Sequence, residues 1–215
     1  DILILAKNNP GKITYPKPPE FHGTSFLKSV LIELARNSEI LYKPIKMPND
    51  KYLFKKTTQP LWEYLDQLHP LTWKNGKQFP NSSSQTIQLL DDQQLLMAIA
   101  FNPNAAEAEI INGTLPGSAK TFALKNGALT NIHYLAIPWN SAVKEAALVC
   151  INFFMSPEAQ TRKSNTKFWG DPSVLKTEVL NKNKASYPKL FKAIPEPHPT
   201  WLTAIEDEWQ IRYGH

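Results

Sequence analysis

The most informative segment of the chain runs from Ile137 to Gln160 and reads IPWNSAVKEAALVCINFFMSPEAQ. Pro138 ends a preceding apolar strand, because proline cannot donate to a strand ladder. Residues 142–155 are apolar on nearly every side, which predicts a helix buried on most of its faces. Ser156-Pro157-Glu158 then predicts the start of another helix. Serine caps helix N-termini, proline suits the first helical position, and glutamate favours the positive end of the helix dipole.

Predicted strands and helices alternate along the rest of the chain. An apolar stripe at helical spacing predicts a helix over residues 26–35, with Gly23-Thr24-Ser25 at its N-terminus. A second amphipathic stripe predicts a helix that begins near Pro60 and is capped by Thr58. Further helices are predicted before Asn8, over residues 105–111 and around Trp201–Trp209. Short apolar runs bounded by turn residues predict strands at residues 13–15, 95–101, 120–124 and 132–137. This alternation favours a layered α/β architecture.

The composition is that of a folded protein with a mildly basic surface. The 215 residues are 42% hydrophobic, and 24 Lys/Arg against 19 Asp/Glu give a formal charge of +5. The basic residues are interspersed with acidic ones and form no run of five or six, so we expect no nucleic-acid partner. No apolar stretch approaches the ~20 residues that a membrane-spanning helix needs.

The sequence carries no recognisable catalytic or metal-binding motif. Phosphate-loop, dinucleotide-binding, zinc-helix and nucleophile-elbow patterns are absent. The five histidines are scattered, with none at ligand spacing from another histidine or cysteine. Cys150 is the sole cysteine, which excludes an internal disulfide. Its apolar neighbours predict that the Cys150 side chain is buried and acts as a small hydrophobic group. We therefore expect no enzymatic activity, no metal and no cofactor.

Several sequence blocks resemble one family when taken in order. The segment from Ile137 to Gln160 resembles the crossover and following helix pair of the extracellular solute-binding proteins of bacterial ABC importers. The blocks resemble the family 1 type and its YnjB-like branch. The other blocks that carry the resemblance are NPGKITYPKPPEF (9–21), GTSFL (23–27), FNPN (101–104), NGTLP (112–116) and WGDPSVL (169–175).

The resemblance implies a periplasmic-binding-protein-like class II fold of the α/β class. This chain would supply its second lobe and the returning C-terminal part of its first lobe. Residues 1–12 would end lobe one and enter the hinge, residues 13–127 would form lobe two, and residues 128–215 would return to lobe one. Most of lobe one would then precede Asp1, leaving an apolar lobe-one surface that favours self-association or dimerisation.

The function implied is that of the periplasmic component of an ABC importer, made with a signal peptide in its precursor. It would capture a small polar solute between two lobes and deliver it to the membrane permease. Two alternatives stay open at the level of sequence. One is an enzyme on the same two-lobed fold, and the other is a protein-interaction module, which the tryptophan-rich C-terminal segment could serve.

Candidate ligand contacts of lobe two follow from its strand-to-helix connections, because open α/β sheets bind ligands near the carboxyl ends of their strands. Gly23, Thr24 and Ser25 lie at a predicted helix N-terminus, where free N–H groups favour an anionic or polar ligand group. Simple helix capping is the alternative. Tyr15, on the preceding strand, could present its ring or hydroxyl to the cleft or could belong to the core.

Two further segments complete the predicted ligand contacts. Asn102 follows a predicted strand and could exchange hydrogen bonds with a solute, or could fix the Asn-Pro turn. Trp169 and Asp171 offer an aromatic face beside a carboxylate, the combination that holds a cation. Alternatively, Trp169 packs in the core and Asp171 caps a helix. These signals disagree on ligand charge, so polyamine, thiamine-like, ferric and anionic solutes all stay open.

Overall fold

The computed structural model describes residues 2–35, 38–176, 178–179 and 191–214. The chain divides into two compact units. Unit 1 comprises residues 1–100, 125–130 and 193–215, and unit 2 comprises residues 101–124 and 131–192. The lobe boundaries after residues 12 and 127 concern the whole protein and stay a prediction.

Helices account for most of the regular structure in the described residues. Those of unit 1 are α1 (Ile2–Asn8), α2 (Phe21–Leu34), α3 (Lys51–Leu68), α4 (Ser83–Asp91) and α8 (Pro199–Tyr213). Short 3-10 helices lie at Ser38–Tyr42, His69–Leu71 and Trp73–Gly76. The helices of unit 2 are α5 (Ala105–Ile111), α6 (Lys144–Phe154) and α7 (Pro157–Ser164). Among these elements, no helix combines the length and the apolar character needed to cross a membrane.

The core of unit 1 lies where α2 meets α3 and α8. The predicted apolar stripe of α2 is confirmed, since its members face this core. Burying such side chains stabilises the fold by about 1.5–3 kcal/mol each. The fully buried side chains of the core include Leu27, Leu31, Leu61, Leu65, Trp201, Ile205 and Trp209.

Two predicted helix starts are wrong. Helix α2 begins at Phe21 with Glu20 as its N-cap, so residues 23–25 lie inside its first turns. Helix α3 begins at Lys51, and Pro60 lies within it. Thr58 is no cap there, because its hydroxyl donates to the Phe54 carbonyl over 2.9 Å.

The predicted strands are also wrong as regular elements, because the described residues form only one small sheet. It pairs β1 (Ala128–Leu129) in parallel with β2 (Ala193–Ile194). The segment predicted as the first strand is buried, but its backbone makes isolated bonds instead of a ladder. Trp73 N donates to Ile13 O over 2.9 Å, and Leu96 N donates to Lys12 O over 2.8 Å.

Unit 2 confirms one local prediction and contradicts another. Ser156 caps α7, with its hydroxyl accepting from Ala159 N over 3.2 Å. Helix α6 was expected to be buried on most sides, yet none of its residues is buried. The prediction of a buried Cys150 is wrong for the same reason, since its thiol is exposed with the rest of α6. The described residues that contact α6, including those of α7, leave most of its hydrophobic side chains in solvent.

Candidate functional site

The N-terminus of α2 already holds a negative charge supplied by the protein. One carboxylate oxygen of Glu20 accepts hydrogen bonds from His22 N at 2.7 Å and from Gly23 N at 3.1 Å. Its other oxygen lies 2.9 Å from Nδ1 of His22. Burial raises the pKa of Glu20, but the bonds from His22 and Gly23 outweigh it and hold the pKa below its usual range. The free N–H groups expected to receive an anionic ligand therefore bind Glu20.

Gly23 and Thr24 have structural roles in this turn. A Cβ on Gly23 would lie 2.0 Å from the Pro16 carbonyl oxygen, so the close approach of these segments requires glycine. Thr24 is buried, and its hydroxyl donates to Oε1 of Glu206 on α8 over 2.7 Å. The ligand-binding role of both residues stays a prediction.

Ser25 is a buried polar side chain of α2, and the sequence reasoning missed another, Lys28, and its partner Glu196. The hydroxyl of Ser25 is buried without a hydrogen-bond partner among the described residues. Three positions along the same helix, Lys28 is also buried and its Nζ lies 2.5 Å from Oε2 of Glu196. The other oxygen of Glu196 is likewise buried without a partner. Lys28 carried a detectable signal, because a lysine inside the apolar stripe of α2 requires a charged partner.

Tyr15 lies in the core of unit 1. Its side chain is 1% exposed and stacks on Phe26 with ring centroids 4.5 Å apart. Its hydroxyl lies 2.7 Å from Nε2 of His69 and accepts from Nε1 of Trp209 over 2.9 Å. Burial raises the pKa of Tyr15 well above its usual range. Tyr15 is therefore a core residue, and a ligand contact by Tyr15 stays a prediction.

Asn102 and Trp169 are brought together in unit 2, where two loops are joined by amide side chains. Asn102 Nδ2 donates to the Trp169 carbonyl over 3.0 Å, and Asn104 Nδ2 donates to the Gly170 carbonyl over 2.7 Å. The side-chain oxygen of Asn102 also accepts from Asn104 N over 2.8 Å, which fixes the turn. These bonds hold the two loops together, and the indole of Trp169 beside them is 54% exposed.

The cation expected beside Trp169 and Asp171 is supplied by Lys163. Its Nζ lies 2.6 Å from Oδ2 of Asp171 and 5.3 Å from the centroid of the Trp169 ring. The same ammonium group donates to the Pro172 carbonyl over 2.7 Å. The aromatic face and the carboxylate thus hold a cation as their chemistry predicts. Lys163 therefore lies where the sequence reasoning placed a cationic ligand, and a ligand contact by Trp169 or Asp171 stays a prediction.

The seven predicted site residues therefore fall into two groups. Gly23, Thr24 and Ser25 lie on α2 in unit 1 with Tyr15 in the adjoining core, whereas Asn102, Trp169 and Asp171 meet in unit 2. The sequence reasoning missed the side chains that complete these clusters, namely Asn104, Lys163, Lys28, Glu196 and Glu206. Within the described ranges, no group of three or more His, Cys, Asp or Glu residues is arranged to hold a metal ion.

Comparisons with known proteins identify related chains. The family model described as bacterial extracellular solute-binding protein matches residues 1–192. The Escherichia coli K12 protein YnjB is 41% identical over 219 aligned residues, which cover 99% of this chain and 55% of YnjB. The chain thus spans about half the length of this curated relative. No solved structure gives a significant match.

Proposed function

The chain belongs to the bacterial extracellular solute-binding protein family, and we propose that it acts in the periplasm within the solute-capturing component of an ABC importer. The resemblance inferred from the sequence blocks, including the relationship to YnjB, is confirmed. The proposed component captures a small polar solute between two lobes and delivers it to a membrane permease. Members of this family generally bind solutes without transforming them, and we propose no enzymatic activity.

The family implies a periplasmic-binding-protein-like fold, and we propose its class II form for the whole protein. In this proposal residues 13–127 belong to lobe two, and residues 1–12 and 128–215 belong to lobe one. The exposed apolar surface of α6 supports it, because a lobe that requires further chain would leave such a surface uncovered.

The observation that carries the binding proposal is the loop pair of unit 2. Binding sites combine an aromatic wall with a few fixed polar groups. Trp169 supplies the half-exposed wall, the Asn102 and Asn104 amides fix the loops, and Asp171 supplies the charge. Because Lys163 holds the cation position here, we propose that the solute carries a donor or cationic group that competes for the same carboxylate and ring.

The Trp169→Ala variant of the whole secreted protein tests this site. We expect the affinity for the solute to fall by about tenfold, or about 1.4 kcal/mol, because the aromatic contact with a cationic group is lost. The solute is first identified by native mass spectrometry of ligand that co-purifies with the unmodified protein. Calorimetric titration of both proteins with that solute then gives the two affinities.

Phe168→Ala is the matched control for this experiment. Phe168 is also exposed and lies against its own cation, with the Arg162 guanidinium 3.9 Å from the ring centroid. Its loss should leave the solute affinity within about twofold of the original. Equal affinities for the unmodified protein and Trp169→Ala would place the solute elsewhere. The absence of any solute from the whole protein would overturn the binding function itself.

The exposed apolar surface of α6 leads to a second proposal, that this 215-residue chain self-associates. Leu148, Val149 and Phe153 are each more than half exposed and lie along one short helix. Contiguous apolar surface of this kind promotes association in water. We expect light scattering after size exclusion to give the mass of a dimer or larger species at micromolar concentration.

A paired substitution tests whether α6 is the surface responsible. Leu148→Lys with Phe153→Lys should convert the chain to monomer, because charges in an apolar contact are costly to bury. Tyr52→Lys serves as the control, since Tyr52 is a similarly exposed residue on α3 of unit 1. A monomeric original chain, or equal dissociation by Tyr52→Lys, would contradict the proposal.

A further inference from the structure

A polar cavity of about 320 Å³ lies within unit 1, and its lining includes none of the residues assigned above to solute binding. Its volume falls at the lower end of the range for small-molecule sites, about 300–1,000 Å³. Trp73, Phe79 and Tyr213 contribute aromatic surface to its lining. The remaining lining is polar and includes Lys17 and Lys77. A cavity with aromatic walls and a few converging polar groups is the usual form of a ligand site.

The charge of this cavity is positive. Both lysines lack an ion pair among the described residues, and none of the lining residues is acidic. The carboxylate of Asp66 accepts a hydrogen bond from the hydroxyl of Tyr213, a lining residue, over 2.7 Å. Asp66 itself is not a lining residue, so the lining carries two positive charges and no negative one.

Neutral donors accompany the two lysines. Gln85 accepts from the backbone N of Asn81 over 2.8 Å through Oε1, which leaves the NH2 end of the Gln85 amide as its free donor end. The side chain of Asn81 also lines the cavity. Ammonium and amide donors around one space favour an anion with several acceptor oxygens.

The cavity wall is held by constrained backbone. Lys17 N donates to the Pro80 carbonyl over 2.7 Å, which fixes the first lysine against the loop that follows the second. Lys74, Asn75 and Gly76 are three consecutive residues with φ of 53°, 56° and 67°. A Cβ at Gly76 would lie 2.6 Å from the His69 carbonyl oxygen, so a larger residue cannot replace it. Strained backbone of this kind clusters at ligand sites.

We propose that this cavity binds a small organic or inorganic anion through a carboxylate or phosphate group held by Lys17 and Lys77. The site goes beyond the proposed transport function, because it lies within one unit and its lining contains none of the predicted solute contacts.

Titration of the 215-residue chain with inorganic phosphate and, separately, with succinate tests the proposal. Trp73 lines the cavity, so tryptophan fluorescence and heteronuclear NMR shifts report occupancy. We expect saturable binding of at least one anion, weakened by added sodium chloride because the contact is ionic. Tighter binding of phosphate would identify a phosphate-bearing ligand, and tighter binding of succinate a carboxylate-bearing one.

Two lysine-pair variants distinguish binding at this site from non-specific attraction of anions to basic residues. Lys17→Ala with Lys77→Ala should weaken binding at least about tenfold. Lys55→Ala with Lys56→Ala removes the same charge from exposed positions of α3 and should leave binding unchanged. Trp169→Ala should also leave it unchanged, so that failure here and failure of the transport proposal are distinguishable. Non-saturable shifts, or equal weakening by both lysine pairs, would overturn the site, and retained thermal unfolding temperatures show that each variant is folded.

Discussion

Replacing Trp209 with alanine is expected to lower the free energy of unfolding by about 4 kcal/mol, the usual cost of truncating a fully buried tryptophan. The side chain is 0% exposed and lies edge-on to Phe79, with centroids 5.1 Å apart. Its Nε1 donates to the hydroxyl of Tyr15. Truncation therefore opens a cavity beside a buried hydroxyl that has lost a donor. Urea unfolding followed by far-ultraviolet circular dichroism measures the change.

Two variants on the same helix separate packing from hydrogen bonding. Ile211→Ala removes an exposed apolar side chain two positions along α8 and should change stability by no more than about 0.5 kcal/mol. Trp209→Phe retains most of the apolar contact but removes the indole N–H, and should cost about 1–3 kcal/mol. A cost below about 1 kcal/mol for Trp209→Ala would mean that the α2–α3–α8 core is not tightly packed.

The elements that sequence predicted correctly are those determined by local rules. The stripe of α2 buries residues spaced three and four apart, and the Ser156 cap of α7 needs only its own next three residues. Both signals act within one or two helical turns, so a single sequence contains them.

The elements that sequence predicted wrongly depend on distant partners, or on a local signal, such as proline, that packing elsewhere in the helix outweighs. Strand formation needs a neighbouring ladder, but Ile13 bonds singly to Trp73 and the adjacent Lys12 bonds singly to Leu96. The proline rule placed a helix start near Pro60, yet Phe54 and Thr58 extend the buried face of α3 upstream and outweigh one lost hydrogen bond. The exposure of α6 depends on whether another surface covers it, which its own residues do not encode.

In the candidate site, too, residue type could be interpreted from the sequence, whereas the partner of each residue could not. The chemistry predicted an anion at the N-terminus of α2 and a cation beside Trp169 and Asp171. The structure has both charges, but Glu20 and Lys163 supply them. The residue types at a site indicate which sign of charge it favours, because the charge of a side chain follows from its type. They do not say whether a ligand or another side chain satisfies that preference.

A second large effect is expected from pH, through His69 in the core of unit 1. Burial lowers the pKa of His69 to about 4, although the nearby Asp66 carboxylate acts in the opposite direction. The indole of Trp209 can only donate, so the proton of the buried Tyr15 hydroxyl is best satisfied by donation to Nε2 of His69, 2.7 Å away. That nitrogen must then be unprotonated, and protonating it would disrupt this hydrogen-bond arrangement.

The sign of the pH effect follows from the two pKa values of His69. In the unfolded chain its pKa is about 6.5, so the unfolded state takes up a proton first as the pH falls. The stabilisation is fully present above about pH 6.5 and is lost progressively down to the folded pKa of about 4. A difference of about 2.5 units corresponds to at most about 3 kcal/mol. Glu20, with a lowered pKa, contributes at lower pH, below its ordinary value of 4.5.

Urea unfolding at intervals between pH 7.5 and 4.5 measures this loss, and His69→Gln identifies its source. Glutamine stays neutral across the range, so the variant should be less stable at pH 7.5 but should lose most of the pH dependence. His133→Gln, at an exposed position of unit 2, should retain the full dependence. If His69→Gln kept the same slope, the proton uptake would belong to other groups, and the Tyr15–His69–Trp209 network would not tie the stability of this core to pH.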